Sequence, residues 1–169
     1  MKEWEEDIDS LPFDDRDIFD YAKIVETRGG WAEVIVTRGC PFACTYCFNK
    51  PLINRYKTDI NADSKKKSFS VRDFTNRRRS VDSTIRMLRE LREKYSNITA
   101  FTFVDDIMAK DSDWFGEFAG RYKKEVGLPY ACTSQPAFFN EEIAKQLKDS
   151  GCKVVKMGIE VGNETIRKN

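Results

Sequence analysis

Apolar residues recur at helical spacing in S80-V-D-S-T-I-R-M-L-R-E-L-R-E-K-Y-S96, with Val81, Ile85, Leu88, Leu91 and Tyr95 on one face and Arg, Glu and Lys on the other. Ser80 stands at the N-cap position, so this segment reads as an amphipathic helix lying on a sheet. A strand is predicted at ITAFTFVDD, then a helix from Asp111 to Val126 with Trp114, Phe118 and Tyr122 on one side and Gly127 as its stop. The alternation continues with a strand at LPYACTSQ, a helix opened by Asn140 and stopped at Gly151, and a last strand at KVVKMGIEV. Alternating strands and helices of this kind predict βαβ units, an α/β fold with a parallel sheet.

Upstream the pattern is less regular. AKIVET and WAEVIVT flank Arg28, Gly29 and Gly30, and glycines that tolerate positive φ make a β-hairpin the expected structure there. Residues 1–20 are acidic, carry Pro12 and lack periodicity, which predicts a linker or N-terminal arm ahead of one unit spanning 21–169. Residues 50–79 are polar and aperiodic, as in a long connection.

The last strand carries a second message. Val155, Met157, Ile159 and Val161 share one face, while Val154, Lys156, Gly158 and Glu160 share the other. A Lys, a Gly and a Glu in line suit a sheet curved into a partial barrel with a working interior, or an edge strand wetted on one side. Asp105 and Asp106, then Thr133, Ser134 and Gln135, fall at the C-terminal ends of their strands, the end where α/β proteins bind ligands; singly, each suits a turn or loop equally well. An open sheet edge at the end of the last strand leads to the expectation that the chain is a piece of a longer protein.

Composition narrows the chemistry. The 169 residues, 40% of them hydrophobic, suffice for one core. There is no histidine, which excludes Cys/His zinc sites, His-ligated haem and imidazole acid–base catalysis. No apolar run approaches the roughly 18–20 residues of a membrane span, and the acidic start MKEWEEDID is unlike a secretory signal. With an odd count of five cysteines, a reducing cytoplasmic setting is expected. Net charge is +1, yet acidic residues cluster near the start and basic ones (Lys65, Lys66, Lys67, Arg72, Arg77, Arg78, Arg79) further on, either as solvated surface or as a dock for an anionic substrate or nucleic acid.

Three of the five cysteines stand in T37-R-G-C-P-F-A-C-T-Y-C-F-N-K50, spaced Cys40-x3-Cys44-x2-Cys47. Structural zinc takes four ligands; Cys132 could complete the set, but it lies on the predicted third strand and Cys152 follows a helix stop, so each reads more simply as a small core residue. A disulfide would strand one thiol of the three. A 4Fe-4S cluster held by three thiolates leaves one iron open to a ligand. A zinc-stabilised or metal-free α/β binding module without redox chemistry is the alternative.

At these residues the chain resembles the radical S-adenosylmethionine (SAM) enzymes, in which a loop after the first barrel strand carries three cysteines at this spacing with an aromatic before the third, here Tyr46. The resemblance implies an oxidoreductase built on a partial (β/α) barrel, with Cys40, Cys44 and Cys47 on three irons and SAM on the fourth. It further implies reductive cleavage of SAM to methionine and a 5′-deoxyadenosyl radical. Tyr46 and Phe48 would lie near the adenine, Asp105 and Asp106 at the strand end that receives the SAM amino group, although the usual glycine-rich form of that motif is absent. Ser134 and Glu160 would face the ribose or methionine portion. The segments D9-S-L-P-F-D-D-R-D-I-F-D-Y21, R79-S-V-D-S-T-I85 and F103-V-D-D106 resemble the cobalamin-associated branch, which implies a cobalamin domain upstream in the full-length protein and methyl transfer or cyclisation as its outcome. The partners so implied are a small-molecule substrate and an electron donor such as flavodoxin or ferredoxin, with tRNA as a second substrate class suggested by the basic stretch.

Overall fold

The computed structural model of the chain describes residues 5, 7–61 and 75–167. Four strands, β1 (Trp31–Val34), β2 (Ala100–Phe103), β3 (Tyr130–Thr133) and β4 (Cys152–Lys156), form one parallel sheet in the order β1-β2-β3-β4. The helices are α1 (Tyr21–Thr27), α2 (Asn49–Asn61), α3 (Val81–Lys94), α4 (Ser112–Glu125), α5 (Glu141–Ser150) and α6 (Glu164–Arg167) among the described residues. The strand order follows the chain order, so the polypeptide steps across the sheet in one direction, and every strand points the same way. All loops that leave strand C-termini therefore gather at one end.

Local chemistry accounts for the helices. Ser80 Oγ accepts from Ser83 N at 3.1 Å, Asp111 Oδ1 from Asp113 N and Trp114 N at 3.1 Å each, and Asn140 Oδ1 from Ile143 N at 2.9 Å. Gly151 takes φ 95°, the left-handed cap that ends α5. The apolar faces of α3 and α4 bury Ile85, Leu88, Phe115, Phe118 and Tyr122. Phe103 of β2 meets Tyr130 of β3 edge-on with centroids 5.6 Å apart, Tyr122 meets Tyr130 at 4.9 Å, and Trp114 stacks on Phe118 at 5.5 Å. Each buried ring contributes roughly 1.5–3 kcal/mol by leaving water, so this aromatic seam anchors the helices to the sheet.

Three expectations change. The segment 21–27 is a helix, not the first strand of a hairpin: Asp20 caps it, accepting from Lys23 N at 3.1 Å, and Tyr21 and Val25, one turn apart, are buried. Its glycines end a helix rather than turn a hairpin, since Gly29 N bonds Glu26 O at 3.0 Å and Gly30 N bonds Val25 O at 2.9 Å. The aperiodic stretch from residue 50 begins as helix α2, which the apolar pattern missed because Ile53 is its one buried apolar residue among those described. The last strand stops at Lys156, and Ile159, expected on its apolar face with Val155, is 76% exposed. β4 is the edge strand of an open four-stranded sheet, which is what the expected partial barrel leaves.

The arm, by contrast, is seated. The buried Arg79 guanidinium donates to the carbonyls of Ile8 at 3.1 Å, Leu11 at 3.3 Å and Pro12 at 3.2 Å, and stands over the Phe13 ring at 5.0 Å. Ser80 N adds bonds of 3.1 Å to each carboxylate oxygen of Asp9.

Gly30 gives a direct check on the corrected N-terminal region. Its φ is +87°, and a Cβ there would collide with Thr99 Oγ1. Gly30→Ala should therefore cost more than about 1 kcal/mol in urea unfolding. An unchanged midpoint would contradict the helix-to-β1 turn described here.

Candidate functional site

The cysteine loop begins where β1 leaves the sheet. Val36 O accepts from Arg79 N at 2.9 Å, Arg38 N donates to Arg77 O at 2.9 Å, and Thr37 makes an antiparallel bridge to Arg78. Arg78 is itself held, by an ion pair of 2.8 Å to Asp111 and by the Trp114 ring 5.5 Å away. Gly39 then turns the chain with φ 76°, a conformation that explains glycine immediately before Cys40. Cys47 N bonds Cys44 O at 3.2 Å, folding the second and third cysteines into one tight turn.

All three thiols are free, with Cys44 exposed and Cys40 and Cys47 half-buried. Burial pushes the Cys40 thiol up, and the charges of Asp106, Cys44 and Cys47 push the same way, so the three sulfurs and Asp106 share one electrostatic neighbourhood. Such a site gains from a cation that replaces the thiol protons. Among the described residues, no three Cys, Asp or Glu side chains come together tightly enough to hold a single metal ion. In an iron–sulfur cube each thiolate takes a different iron, and its ligands stand farther apart than those of one ion. Three free thiols on one loop suit the cube in number, type and accessibility better than they suit zinc.

The other sequence-selected residues part company. Tyr46 and Phe48 are 67% and 69% exposed, and Tyr46 lies beside Cys44. Glu160, in the left-handed region at φ 60°, lies next to Tyr46; desolvation first and this carboxylate second raise the Tyr46 hydroxyl. A Cβ on Gly158 would run into Glu160 Oε1, so the carboxylate is folded back over that glycine. Asp106 is exposed and accepts from Asn49 Nδ2 at 3.1 Å. Asp105 points the opposite way: it is 2% exposed, and its Oδ1 accepts from Val36 N at 3.0 Å and from Thr37 N. Burial raises its carboxyl against those bonds. Ser134 is also turned inward, its Oγ donating to Ala109 O at 3.1 Å.

Two neighbours escaped sequence reasoning. Asn49 is buried at the start of α2, and a buried amide in a polar segment leaves no periodic trace. Lys110 donates to Thr75 O, and its ammonium is depressed by burial and then by Arg78, with Cys40 acting in the opposite sense. It follows a strand end by several residues and has no local signature. Phe42 of the cysteine loop meets Phe138, in the short 3-10 turn Pro136–Phe138, at 5.7 Å.

The family model described as the radical SAM superfamily matches residues 34–169, from the last residue of β1 through the cysteine loop and the remaining βα units. The chain belongs to the radical SAM superfamily. Over 162 residues, 95% of its length, it is 26% identical to a protein of Pyrococcus horikoshii described as an uncharacterized methyltransferase, and it spans 31% of that relative. Its fold resembles TsrM from Kitasatospora setae, a radical S-adenosylmethionine methyltransferase solved with tryptophan substrate and the SAM analog aza-SAM. That alignment has a TM-score of 0.56 and 18% identity, covering 85% of this chain and 24% of TsrM. A second TsrM structure, with cobalamin and a 4Fe-4S cluster, aligns with TM-score 0.51 and 19% identity over 78% of this chain and 23% of that one. At these identities the likeness is one of fold. The superfamily implies a 4Fe-4S cluster and SAM, and the matched span includes the loop that carries Cys40, Cys44 and Cys47. No helix among the described residues is long and apolar enough to cross a membrane.

Proposed function

We propose that this chain is the cluster- and SAM-binding portion of an enzyme that cleaves SAM reductively, and that the full-length protein uses it for cobalamin-dependent methyl transfer. The observation that carries the reading is the placement of three free thiols on one loop at the C-terminal end of a parallel sheet, beside Asp106, Tyr46 and Glu160. The chemistry supplied by a bound cluster is one-electron reduction of the SAM sulfonium, giving methionine and a 5′-deoxyadenosyl radical.

The chain's own part is binding and orientation. Cys40, Cys44 and Cys47 hold three irons. Tyr46 and Phe48 offer exposed aromatic faces to the adenine. Asp106, exposed and steadied by Asn49, suits an ammonium group, and Glu160 suits hydroxyls or the amino acid end of the ligand. Ser134 donates inward and shapes the strand end instead.

Methyl transfer is favoured over cyclisation by the description of the Pyrococcus horikoshii relative as a methyltransferase. A small-molecule substrate is favoured over tRNA. Lys65, Lys66, Lys67 and Arg72 lie outside the described residues, while Arg79 is buried against the arm, Arg78 pairs with Asp111, and Arg77 donates to Glu5 O at 3.0 Å. These three arginines are committed to internal contacts rather than presented as a basic surface. Flavodoxin or ferredoxin is the proposed electron donor.

The test is anaerobic reconstitution of the full-length gene product with iron and sulfide. About four irons per chain are expected, with a reduced-cluster EPR signal that SAM perturbs. Stoichiometric zinc without iron uptake would favour a zinc-stabilised binding module.

A further inference from the structure

We propose that Asp105 is a positioning residue: its buried carboxylate, by taking up the backbone N–H groups of Val36 and Thr37, fixes the direction in which the chain leaves β1 and hence where Cys40 stands.

The reasoning begins with the ladder. β1 and β2 pair in register up to Val34 and Phe103, and Val104 N still bonds Val34 O at 2.9 Å. Beyond that the strands part, and among the described residues no carbonyl receives the N–H groups of residues 36 and 37. Buried and unpaired, they would each cost about 1–3 kcal/mol. Asp105 Oδ1 receives both. On the other side, Arg79 N bonds Val36 O and Arg38 N bonds Arg77 O, each at 2.9 Å. Residues 36–38 are thus gripped from two sides just before the Gly39 turn and Cys40.

Asp105 is in turn fixed from β3. Thr133 Oγ1 donates to Asp105 O, and Met108 N bonds Thr133 O at 3.1 Å. Rigid support therefore runs from the sheet's third strand through Asp105 to the root of the cysteine loop. The carboxylate forms no salt bridge, and its Oδ2 is buried without a well-formed hydrogen bond among the described residues. Burying a carboxylate that way is expensive, and among the described residues nothing else at this strand end receives the two N–H groups. Asp106, one residue on, is the carboxylate left facing the thiols. Adjacent side chains that point oppositely give two consecutive aspartates two different tasks.

The inference rests on the reading of Cys40, Cys44 and Cys47 as cluster ligands, and the experiment separates the two. In the full-length protein, Asp105→Asn keeps an oxygen able to accept both N–H groups, whereas Asp105→Ala removes it. Hydrogen exchange at the Val36 and Thr37 amides, measured before iron is added, should be faster in Asp105→Ala and close to wild type in Asp105→Asn. Iron affinity should then fall about tenfold or more in Asp105→Ala, the size of a lost supporting contact, and be retained in Asp105→Asn together with the SAM-induced EPR change. If Asp105→Asn loads iron yet loses that EPR change, Asp105 contacts the ligand and the inference fails. Equal iron binding in Asp105→Ala and wild type overturns it as well, as does an Asp105→Asn protein that behaves like Asp105→Ala. A wild-type protein that takes up no iron sinks the function proposed for the thiols, while the amide exchange comparison still decides whether Asp105 holds the loop.

Discussion

Cys44→Ala is expected to cut iron–sulfur loading and SAM cleavage by more than about a hundredfold, the upper end for changes that only support a ligand, with almost no change in thermal midpoint. The separation of the two effects follows from position. Cys44 is exposed and its side chain is absent from the hydrophobic core, so losing it removes a donor without opening a cavity. Cys40→Ala and Cys47→Ala should lose iron equally. The opposite outcome is expected at Cys132, which is wholly buried on β3 beside Cys152: Cys132→Ser buries a more strongly hydrated hydroxyl in place of the thiol and should cost about 1–3 kcal/mol, while iron content per folded chain stays the same. Iron and sulfide assays beside differential scanning calorimetry make the comparison. Iron loss from Cys132→Ser, or full loading of Cys44→Ala, would show that the wrong thiols have been assigned.

The second large effect is expected at Arg79. Arg79→Met keeps the aliphatic stem but leaves the carbonyls of Ile8, Leu11 and Pro12 without the guanidinium that now binds them. Part of each is regained from water as the arm lifts, so the net cost should be about 3 kcal/mol, a large share of the roughly 5–15 kcal/mol that holds a domain together. Protease cleavage within residues 8–13 should accelerate in step. Arg79→Lys restores little, because an ammonium lacks the planar fork that reaches several carbonyls at once. Since Arg79 N also bonds Val36 O, the arm and the cysteine loop share one anchor. A melting curve like that of wild type, with the arm still resistant to protease, would show that the clamp contributes nothing.

Much of the architecture was legible because it is local. Ser80, Asp111 and Asn140 cap the helices expected of them, and the apolar spacing of Val81, Ile85 and Leu88 buries the face it predicts. The cysteine spacing and the strand before it likewise lie within one stretch of seventeen residues, Trp31 to Cys47. The failures came where the same local pattern serves two structures. A pair of glycines with positive φ ends a helix as readily as it turns a hairpin, and Tyr21 and Val25 decide between them only once both are buried. Val155, Met157, Ile159 and Val161 alternate like a buried face, yet no fifth strand pairs beyond β4 among the described residues, and the pattern runs on past Lys156 without a strand.

By itself, then, the order of residues determined the α/β alternation, the parallel sheet and the trio of cysteines, through periodicity, caps and spacing that act over a few turns of chain, while the superfamily was legible as a resemblance carried by the cysteine loop. Tertiary structure alone decided that Asp105 turns inward while Asp106 stays out, and that Arg79 is a buried clamp rather than part of a basic surface. Each of those fates depends on backbone groups far off in sequence: the amide that Asp105 satisfies at Val36 is 69 residues away, and the carbonyl that Arg79 satisfies at Ile8 is 71 away. A side chain's own neighbours carry no record of a hydrogen bond left open at the end of a distant strand.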